Sequence, residues 1–350
     1  MQQSGNTEPM KPESDTFVIA ESDLEIVNAL QLNPRASWTE LASVLDMDST
    51  TIARRWRRLV ADGHAWVNAV AIGRAHIFGY LMISSTQDSV AEVGERLRQL
   101  SCAYLLARTE GEFEYFVGVV AADQKSLDAL VCEHLAADPG ILSIRSRVGV
   151  KVYRDGFSWE PGALGQAGRA QLAPASTKAA EAPAVFRESD GALLDALGRD
   201  GRASYARLAA ICETNETAIR RRLAQLTASH QLIFRCDVSQ QAVGSPFEVI
   251  FDVAVDGSTD ELGQLVSSWP ETRLLVATTG TANMLISVWL SSLAQSLVVE
   301  DRLRRIGNVR ILDRRVSLYP MKRFGQLLGP SGVAEGHVPV AIWGAGDMLR

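Results

Sequence analysis

The chain has 350 residues, 47% of them hydrophobic, and a formal net charge of −6. This length and composition suit two or more globular domains, each with its own core. The longest apolar runs, such as EYFVGVV and EVIFDVAV, are far shorter than the roughly 20 residues that cross a bilayer, so no membrane span is expected. The polar start has neither a basic leader nor an apolar core, so we expect no secretory signal and predict a cytoplasmic protein.

The cysteines give no sign of a metal site or a redox pair. Cys102, Cys132, Cys212 and Cys236 lie far apart, form no C-x-x-C pair and have no histidine at ligand spacing. We therefore expect reduced thiols and predict neither a metal nor a cofactor. The acidic balance argues against a protein that coats polyanions, although a local basic patch is sufficient for nucleic-acid binding.

An internal repeat organises the chain. Residues 21–59 align without gaps on residues 188–226, at a constant offset of 167. Glu-Ser-Asp, Ala-Leu, Arg-Ala-Ser, Leu-Ala, Ile, Arg-Arg and a final Leu recur in place. The chain therefore consists of two copies of one unit.

Each copy opens with three predicted helices. In the first copy, the apolar spacing from Leu24 to Leu30 predicts a helix that Pro34 ends, and a short second helix follows. Asp48 then stands where a side-chain oxygen caps the free N–H groups of a third helix, and Asn215 takes that place in the second copy.

The third helix is predicted to direct its arginines outward. At 100° per residue, its apolar positions share one face and its basic positions the other. The inward positions are Ile52, Trp56 and Leu59. The outward positions are Thr50, Arg54 and Arg57, with Arg58 at the edge. A merely solvated face is the alternative, but no acid lies between residues 49 and 61 to form helical ion pairs with these arginines.

A short helix, a tight turn and a capped basic helix are the layout of a helix-turn-helix, whose last helix enters the major groove N-terminus first. Base-edge contacts are predicted for the early residues Ser49, Thr50, Thr51 and Arg54, and phosphate contacts for Arg57 and Arg58. In the second copy the predicted DNA contacts are Thr217, Arg220 and Arg221. Because Glu216 opens that helix and two arginines are lost, the second unit is expected to bind more weakly, to read another sequence, or only to pack or dimerise.

The rest of each copy alternates strands and helices in the order β-α-β-β-α-β, beginning at IFGYLMISS and at FEVIFDVAV. This order predicts a ferredoxin-like antiparallel sheet with two helices on one face. The fold class is therefore α+β, with two tandem units, each a winged helix-turn-helix followed by a ferredoxin-like domain.

The predicted boundaries follow from these patterns and from an Ala/Gly/Pro-rich stretch between the copies. They are a flexible tail (1–19), a helix-turn-helix (20–66), a ferredoxin-like ligand and oligomerisation domain (67–155), a linker (156–186), a second helix-turn-helix (187–236), a second ferredoxin-like domain (237–322) and a C-terminal tail (323–350).

The order and spacing of these motifs resemble the Lrp/AsnC regulators, in which a helix-turn-helix joins a ferredoxin-like domain. The local marks are ARRWRRL, EGEFEYFVGVV and DPGILSIRSRV. The resemblance implies a transcription regulator that binds double-stranded DNA as a homo-oligomer, a dimer or higher, and responds to an amino acid or a related small molecule.

The resemblance also implies an effector site. In the family, a Gly-Asp-x-Asp-Tyr-like hairpin lies near the effector at the interface between ferredoxin-like domains. The matching residues here are Gly111, Glu112, Glu114 and Tyr115, whose carboxylates suit an α-ammonium group, with a merely solvated hairpin as the alternative. The second copy lacks both acids. The family's glycine in the helix-turn-helix turn is replaced by Asp46 and Glu213, so a slightly different turn geometry is expected.

Two other functions compete with this one. Siroheme decarboxylases share the architecture and also occur as fused pairs, but tetrapyrrole chemistry would need histidine or arginine groups gathered in the sheet cleft. The histidines are scattered, so we predict no enzyme; they are His64, His76, His134, His230 and His337. An architectural DNA-binding protein without an effector fits the same DNA features. The sequence does not decide whether the two ferredoxin-like domains pair within one chain or between chains.

Overall fold

The computed structural model describes residues 18–71, 76–156, 159–172 and 186–340. The first copy contains, in order, α1 (Glu21–Leu32), α2 (Trp38–Leu45), α3 (Ser49–Ala61), β1 (Ala65–Ala71), β2 (Ile77–Ser85), α4 (Val90–Gln99), β3 (Ala103–Thr109), β4 (Tyr115–Ala121), α5 (Gln124–Asp128), which continues as a π-helical segment (Ala129–Leu135), and β5 (Ile141–Arg154).

The helix α6 (Gln166–Leu172) separates the copies. The second copy contains α7 (Gly191–Arg199), α8 (Tyr205–Ile211), α9 (Glu216–Ala228), β6 (Leu232–Val238), β7 (Phe247–Val255), α10 (Thr259–Ser267), β8 (Thr272–Thr278), β9 (Met284–Leu290), α11 (Gln295–Arg304), β10 (Val309–Arg323), β11 (Gln326–Leu328) and β12 (Ala334–His337). Across the described residues, no helix is both long and apolar enough to span a membrane.

Each copy begins with the predicted three-helix unit. Ile52, Trp56 and Leu59 of α3 are buried in the core that α1 and α2 complete, so the predicted facing of this helix is confirmed. The Asp48 carboxylate accepts the N–H groups of Thr50 and Thr51 at 2.8 and 3.3 Å, which satisfies two backbone donors at the start of α3.

The turn before each third helix keeps a left-handed residue although neither copy has glycine there. Asp46 has φ 49° and Glu213 has φ 50°. Both turns therefore place a residue other than glycine in the left-handed region, which glycine enters without a Cβ penalty. Such a conformation costs a residue with a Cβ about 1–2 kcal/mol.

The ferredoxin-like topology is confirmed in both copies. The strand order is β3-β4-β2-β5 in the first copy and β8-β9-β7-β10 in the second, with every pairing antiparallel. Alternate residues of β2 divide between two cores. Leu81 and Ile83 pack with Val93 and Leu97 of α4, whereas Tyr80 and its alternating neighbours face the other side of the sheet.

The two ferredoxin-like domains pair within the chain. β5 pairs with β8 and β10 pairs with β3, so the eight strands close into one antiparallel ring. Gly149 stands opposite Thr278, and Ser317 stands opposite Thr109. These two pairs occupy equivalent strand positions in the two copies, so a pseudo-two-fold axis relates the copies.

The helix-turn-helix units follow the same symmetry. After each third helix comes a single strand, and β1 and β6 pair as an antiparallel ribbon centred on Asn68 opposite Arg235. The predicted wing thus takes the form of a ribbon shared by the two copies. Arg35 donates to the carbonyls of Gly201 and Ala203, and Arg202 donates to the equivalent carbonyls of the first copy, those of Pro34 and Ala36.

The segments predicted as linker and C-terminal tail are partly structured. Leu172 of α6 and Trp159 are buried in the core of the first helix-turn-helix, because these few large apolar residues cover its open side. Gln326–Leu328 and Ala334–His337 form a hairpin that extends the sheet from β10. Residues 1–17, 157–158, 173–185 and 341–350 of the predicted tails and linker lie outside the described residues.

Candidate DNA-binding face and interior cavity

The outward face of α3 carries the predicted DNA contacts. Thr50, Arg54, Arg57 and Arg58 are exposed, and Ser49 and Thr51 are half-buried. The Thr50 hydroxyl donates to Asp48 at 2.5 Å, so it also takes part in the cap. Hydrogen bonds from Thr50 and Thr51 lower the pKa of Asp48.

Two of the four arginines of α3 have a structural partner that the sequence analysis missed. The buried carboxylate of Asp23, on α1, accepts from Arg55 at 2.9 Å and from Arg58 at 2.7 Å. No acid accompanies these arginines within α3, but an acid of α1 reaches two of them in the folded structure. Arg54 and Arg57 have no carboxylate within ion-pair distance among the described residues, so they are the arginines of α3 that are available to DNA.

The second copy repeats this arrangement with fewer available charges. Asp190 accepts from Arg222 at 2.9 Å, at the positions equivalent to Asp23 and Arg55. Arg220 is bound to Glu216 at 3.3 Å and lies over the Tyr205 ring. Thr217 and Arg221 are exposed, and within the described chain Arg221 has no ion pair. Arg54 and Arg221 are thus the exposed arginines that both copies share.

The predicted effector residues lie at the β3–β4 hairpin of the first copy, and they differ in exposure and in their contacts. Gly111 and Glu112 are exposed at the tip, where Gly111 has φ 96°. Glu114 is half-buried and accepts the Ser85 N–H at 2.7 Å. The Tyr115 ring is buried and its hydroxyl donates to the Val90 carbonyl. Tyr115 therefore stabilises the packing of α4, and only the hairpin tip is open to a ligand or a partner.

The hairpin of the second copy borders a different arrangement of charges. Its residues 280–282 line an open cavity of about 370 Å³ next to a buried ion network. Arg147 donates to both oxygens of Asp252 at 2.6 and 2.8 Å, and Arg315 donates to the same carboxylate at 2.5 Å. The hairpin itself carries no acid, and the Asp252 carboxylate on β7 that lines the same cavity is already paired.

A second, partly open cavity of about 240 Å³, here called the interior cavity, lies between the β1–β6 ribbon and one end of the eight-stranded ring. Every strand of the ring contributes to its wall. The apolar and aromatic lining comes from Val70, Phe78, Tyr80, Tyr104, Leu105, Val120, Val152, Leu274, Trp289, Phe324 and Val340. The polar lining comes from His76, Asp155, Gly156, Glu248, Arg273 and Arg323.

A buried ion network joins this cavity to the ribbon. The Asp237 carboxylate, on β6, accepts from Arg235 at 2.6 Å and from Arg273 at 2.7 Å, and Arg323 lies 3.6 Å away. Burial alone would raise the pKa of Asp237, but the three guanidinium groups lower it to about 2. Burial in turn lowers the pKa of Arg273 to about 10. Arg273 thus belongs both to the cavity wall and to the contact that holds the ribbon on the ring.

One histidine and two arginines are gathered at this cavity, contrary to the expectation that such groups are scattered. His76, Arg273 and Arg323 are far apart in sequence, yet they line one cavity once the ring closes. No sequence motif of fixed spacing predicts this arrangement. A signal existed in the comparison of the two copies, because Arg273 and Arg323 replace Tyr104 and Asp155 at equivalent strand positions.

Comparison with protein families agrees with this architecture. A model of the AsnC-type helix-turn-helix domain matches residues 21–60 and 188–227, and a model of the Lrp/AsnC ligand binding domain matches residues 79–158. An uncharacterized HTH-type transcriptional regulator of Pyrococcus horikoshii is 24% identical over 152 residues, which are 42% of this chain and 96% of that protein. The Bkd operon transcriptional regulator of Pseudomonas aeruginosa is 25% identical over 136 residues, 37% of this chain and 89% of that protein.

Among solved structures, the siroheme decarboxylase NirDL in complex with an iron-uroporphyrin III analogue aligns with a TM-score of 0.57. The alignment covers 87% of this chain and 93% of that one at 10% identity, so it is a likeness of fold. The curated relatives each correspond to about one copy of the repeat. With two AsnC-type helix-turn-helix domains and the Lrp/AsnC ligand-binding domain in one polypeptide, the chain belongs to the Lrp/AsnC family, in a tandem-duplicated form.

Proposed function

We propose that this protein is a sequence-specific DNA-binding transcriptional regulator that carries two DNA-reading heads on one polypeptide. The observation that carries the proposal is the pair of capped helices α3 and α9, each with an exposed arginine at the same position. Arg54 and Arg221 are these residues, and neither has a carboxylate partner among the described residues. Positive charge left unneutralised on a helix face is the feature that phosphate and base-edge contacts require.

The pseudo-two-fold relation of the heads defines the expected operator. Two heads related by a two-fold rotation meet DNA as inverted half-sites, spaced by about one helical turn or a multiple of it. The outer face of the second head lacks the counterpart of Arg57, where Ala224 stands. We therefore expect an imperfect inverted repeat, with the half-site of α3 contributing more to affinity than that of α9.

The proposal includes a response to an amino acid or a related small molecule through the ferredoxin-like domains. The family's ligand-binding domain and the exposed hairpin tip at Gly111 and Glu112 support it. Assembly of two or more chains, which would present four or more heads, belongs to the same proposal. Because its partner is genomic DNA, the proposal places the protein in the cytoplasm.

The test is binding of the purified full chain to its own upstream DNA and to random DNA of equal length, over a salt series. We expect selective binding whose affinity falls steeply with salt. Arg54→Ala should remove about 1–3 kcal/mol of the discrimination between the two DNAs if Arg54 contacts a base edge. Arg304→Ala is the matched control, since Arg304 is an exposed arginine on α11, outside both heads.

Equal, weak binding of both DNAs by the unmodified chain would contradict the proposal. Loss of affinity in Arg304→Ala comparable to that in Arg54→Ala would show that general charge, and not the face of α3, drives binding. Repeating the titration with an amino-acid mixture tests the effector response separately. Selective binding that ignores the mixture would leave an architectural or constitutive regulator.

One observation favours siroheme decarboxylation as a second candidate, because His76, Arg273 and Arg323 line the same interior cavity. Against it stands the size of that cavity, about 240 Å³, which is below the range of pockets that hold drug-sized ligands. A tetrapyrrole with its carboxylate side chains is larger still. Incubation with siroheme followed by desalting tests this candidate: a retained tetrapyrrole absorption band together with absent DNA binding would favour the enzyme.

A further inference from the structure

We propose that the interior cavity between the ribbon and the ring binds one small carboxylate with a flat apolar body, held by Arg273 and Trp289. This inference deepens the proposed effector response by assigning it a site and a ligand class. Binding to the cavity is measured without DNA, so its failure is distinguishable from failure of DNA recognition.

Two buried donors at this cavity have no acceptor. Arg273 is 5% exposed, and its Nη2 donates to Asp237 while its Nη1 has no hydrogen-bond partner among the described residues. Trp289 is 3% exposed, and its indole N–H also has no partner among them. A buried donor without an acceptor costs roughly 1–3 kcal/mol, more for a charged group. Both nitrogen atoms are shielded from solvent, so a ligand in the cavity removes this cost once the side chains turn toward its oxygen atoms.

The two donors are neighbours. The guanidinium carbon of Arg273 lies 4.2 Å from the centre of the Trp289 ring, and both residues line the cavity. A carboxylate has two oxygen atoms that can accept from two nearby donors, and it forms the stronger, charge-assisted bond with arginine. The ligand group that best matches this pair of donors is therefore a carboxylate.

The acids of the cavity are accounted for. Asp237 is shared by three guanidinium groups, and Glu248 accepts from the Ser287 hydroxyl at 2.5 Å. Asp155 lines the cavity near the tyrosines and raises the pKa values of Tyr80 and Tyr104, to which burial contributes most. An ammonium group on the ligand would lie near these acids, so its effect is tested separately from that of the carboxylate.

The two copies contribute different residues to equivalent positions of the cavity wall, so the cavity is asymmetric. Phe78, Tyr104 and Val120 line one wall, whereas Glu248, Arg273 and Trp289 occupy the equivalent strand positions in the second copy. A dimer of identical subunits would present the same groups on both sides of its axis. Here the three positions of the first copy carry no charge, whereas those of the second copy include Glu248 and Arg273, so the cavity is asymmetric and suits a ligand with an apolar body and an anionic group.

The volume limits the ligand's size. A cavity of about 240 Å³ lies just below the range of about 300–1,000 Å³ that is typical of pockets for drug-sized ligands. A phenyl or indole ring with a short carboxylate chain is of this order. The Phe78 and Tyr104 rings, in edge contact with centroids 5.8 Å apart, supply an aromatic wall for it.

The test is calorimetric titration of the full chain with four probes that share one ring and chain. They are 3-phenylpropionate, L-phenylalanine, 3-phenylpropanamide and 2-phenylethylamine. We expect 3-phenylpropionate to bind at one site per chain, the amide to bind at least tenfold more weakly, and the amine not to bind. L-Phenylalanine tests whether an added ammonium helps or hinders. Absence of binding by both carboxylates at millimolar concentration would overturn the proposal, as would equal affinity for 3-phenylpropionate and 2-phenylethylamine.

Variants locate the site. Arg273→Met should weaken binding of 3-phenylpropionate roughly 10- to 100-fold. Leu274→Trp keeps the arginine and fills the cavity, so it should abolish binding even where Arg273→Met is too unstable to measure. Arg147→Met is the matched control, a buried arginine of β5 that bonds to Asp252 and does not line this cavity. Unchanged affinity in a folded Leu274→Trp protein would refute the assignment.

Discussion

Removal of the Asp237 carboxylate tests the buried network that joins the ribbon to the ring. In Asp237→Asn, the guanidinium groups of Arg235, Arg273 and Arg323 would lose the one carboxylate that they share. Removing one partner of a buried ion pair costs about 3–5 kcal/mol, and the remaining amide oxygen still accepts one hydrogen bond. We therefore expect a loss of about 3 kcal/mol in the free energy of unfolding.

The pKa of Asp237 gives an independent magnitude. The pKa falls from an ordinary 3.8 to about 2 in the folded chain, which corresponds to about 2 kcal/mol of stability. Because the folded pKa is the lower one, this contribution is present above about pH 4 and is lost as the pH falls toward 2. The unmodified chain should lose this contribution in that window, whereas Asp237→Asn should lack that part of the pH dependence.

The assay is urea unfolding followed by tryptophan fluorescence, at pH 7 and at steps down to pH 2.5. Asp195→Asn is the matched control, because Asp195 forms an exposed pair with Arg199 at 3.2 Å. Such a pair contributes at most about 1 kcal/mol, so the control should change little. A loss below about 1 kcal/mol in Asp237→Asn, or an unchanged pH dependence, would refute the view that this carboxylate holds the network together.

Three further predictions follow from the heads and the C-terminal hairpin. Arg57→Ala should weaken binding to all DNA sequences and reduce the slope of log affinity against log salt by roughly one unit, and an unchanged slope would remove Arg57 from the interface. Glu213→Gly should raise the stability of the second head by up to about 1 kcal/mol in thermal unfolding, because glycine adopts φ 50° without the Cβ penalty; destabilisation would contradict this. Burial lowers the pKa of His337 to about 4 from 6.5, so the β11–β12 hairpin should lose stability as the pH falls between these values. Hydrogen exchange of residues 326–337 should show this loss, and His337→Gln should abolish it.

Much of the fold could be predicted from the sequence because its elements have clear local signals. IFGYLMISS coincides with β2, and the apolar spacing of α3 identified the residues that are buried. The helix caps at Asp48 and Asn215 were also readable, since each depends on residues next to it in the chain. Periodicity and capping act over a few residues, and they need no knowledge of the partner element.

The ion pairs across helices were missed although the repeat contained a signal for them. Asp23 and Asp190 recur at the same offset as their partners Arg55 and Arg222. An acid on one helix and a base on another recur together in both copies. This recurrence indicates that the two helices contact each other in the same way in each copy. The same reasoning applies to Arg35 and its counterpart Arg202, each of which donates to carbonyls of the residues that flank the other.

The interior cavity was beyond the reach of sequence patterns for a different reason. Its wall is assembled from all eight strands of the ring, and it exists only because β5 pairs with β8 and β10 pairs with β3. The two ferredoxin-like sheets could pair within one chain or between two chains, and both arrangements bury the same apolar residues. Strand register, and not periodicity, places Arg273 beside Trp289.

Fusion of the two copies removes a constraint that identical subunits impose. In a dimer of identical chains, a carboxylate at the position of Asp237 would appear twice, once on each strand of the ribbon. Here the equivalent residue on β1 is Val70, so one ion network forms on one side of the cavity. An asymmetric cavity on a pseudo-two-fold axis accepts one ligand in one orientation. The expected stoichiometry is therefore one ligand for two DNA-reading heads, and a titration that saturated at two ligands per chain would contradict this reasoning.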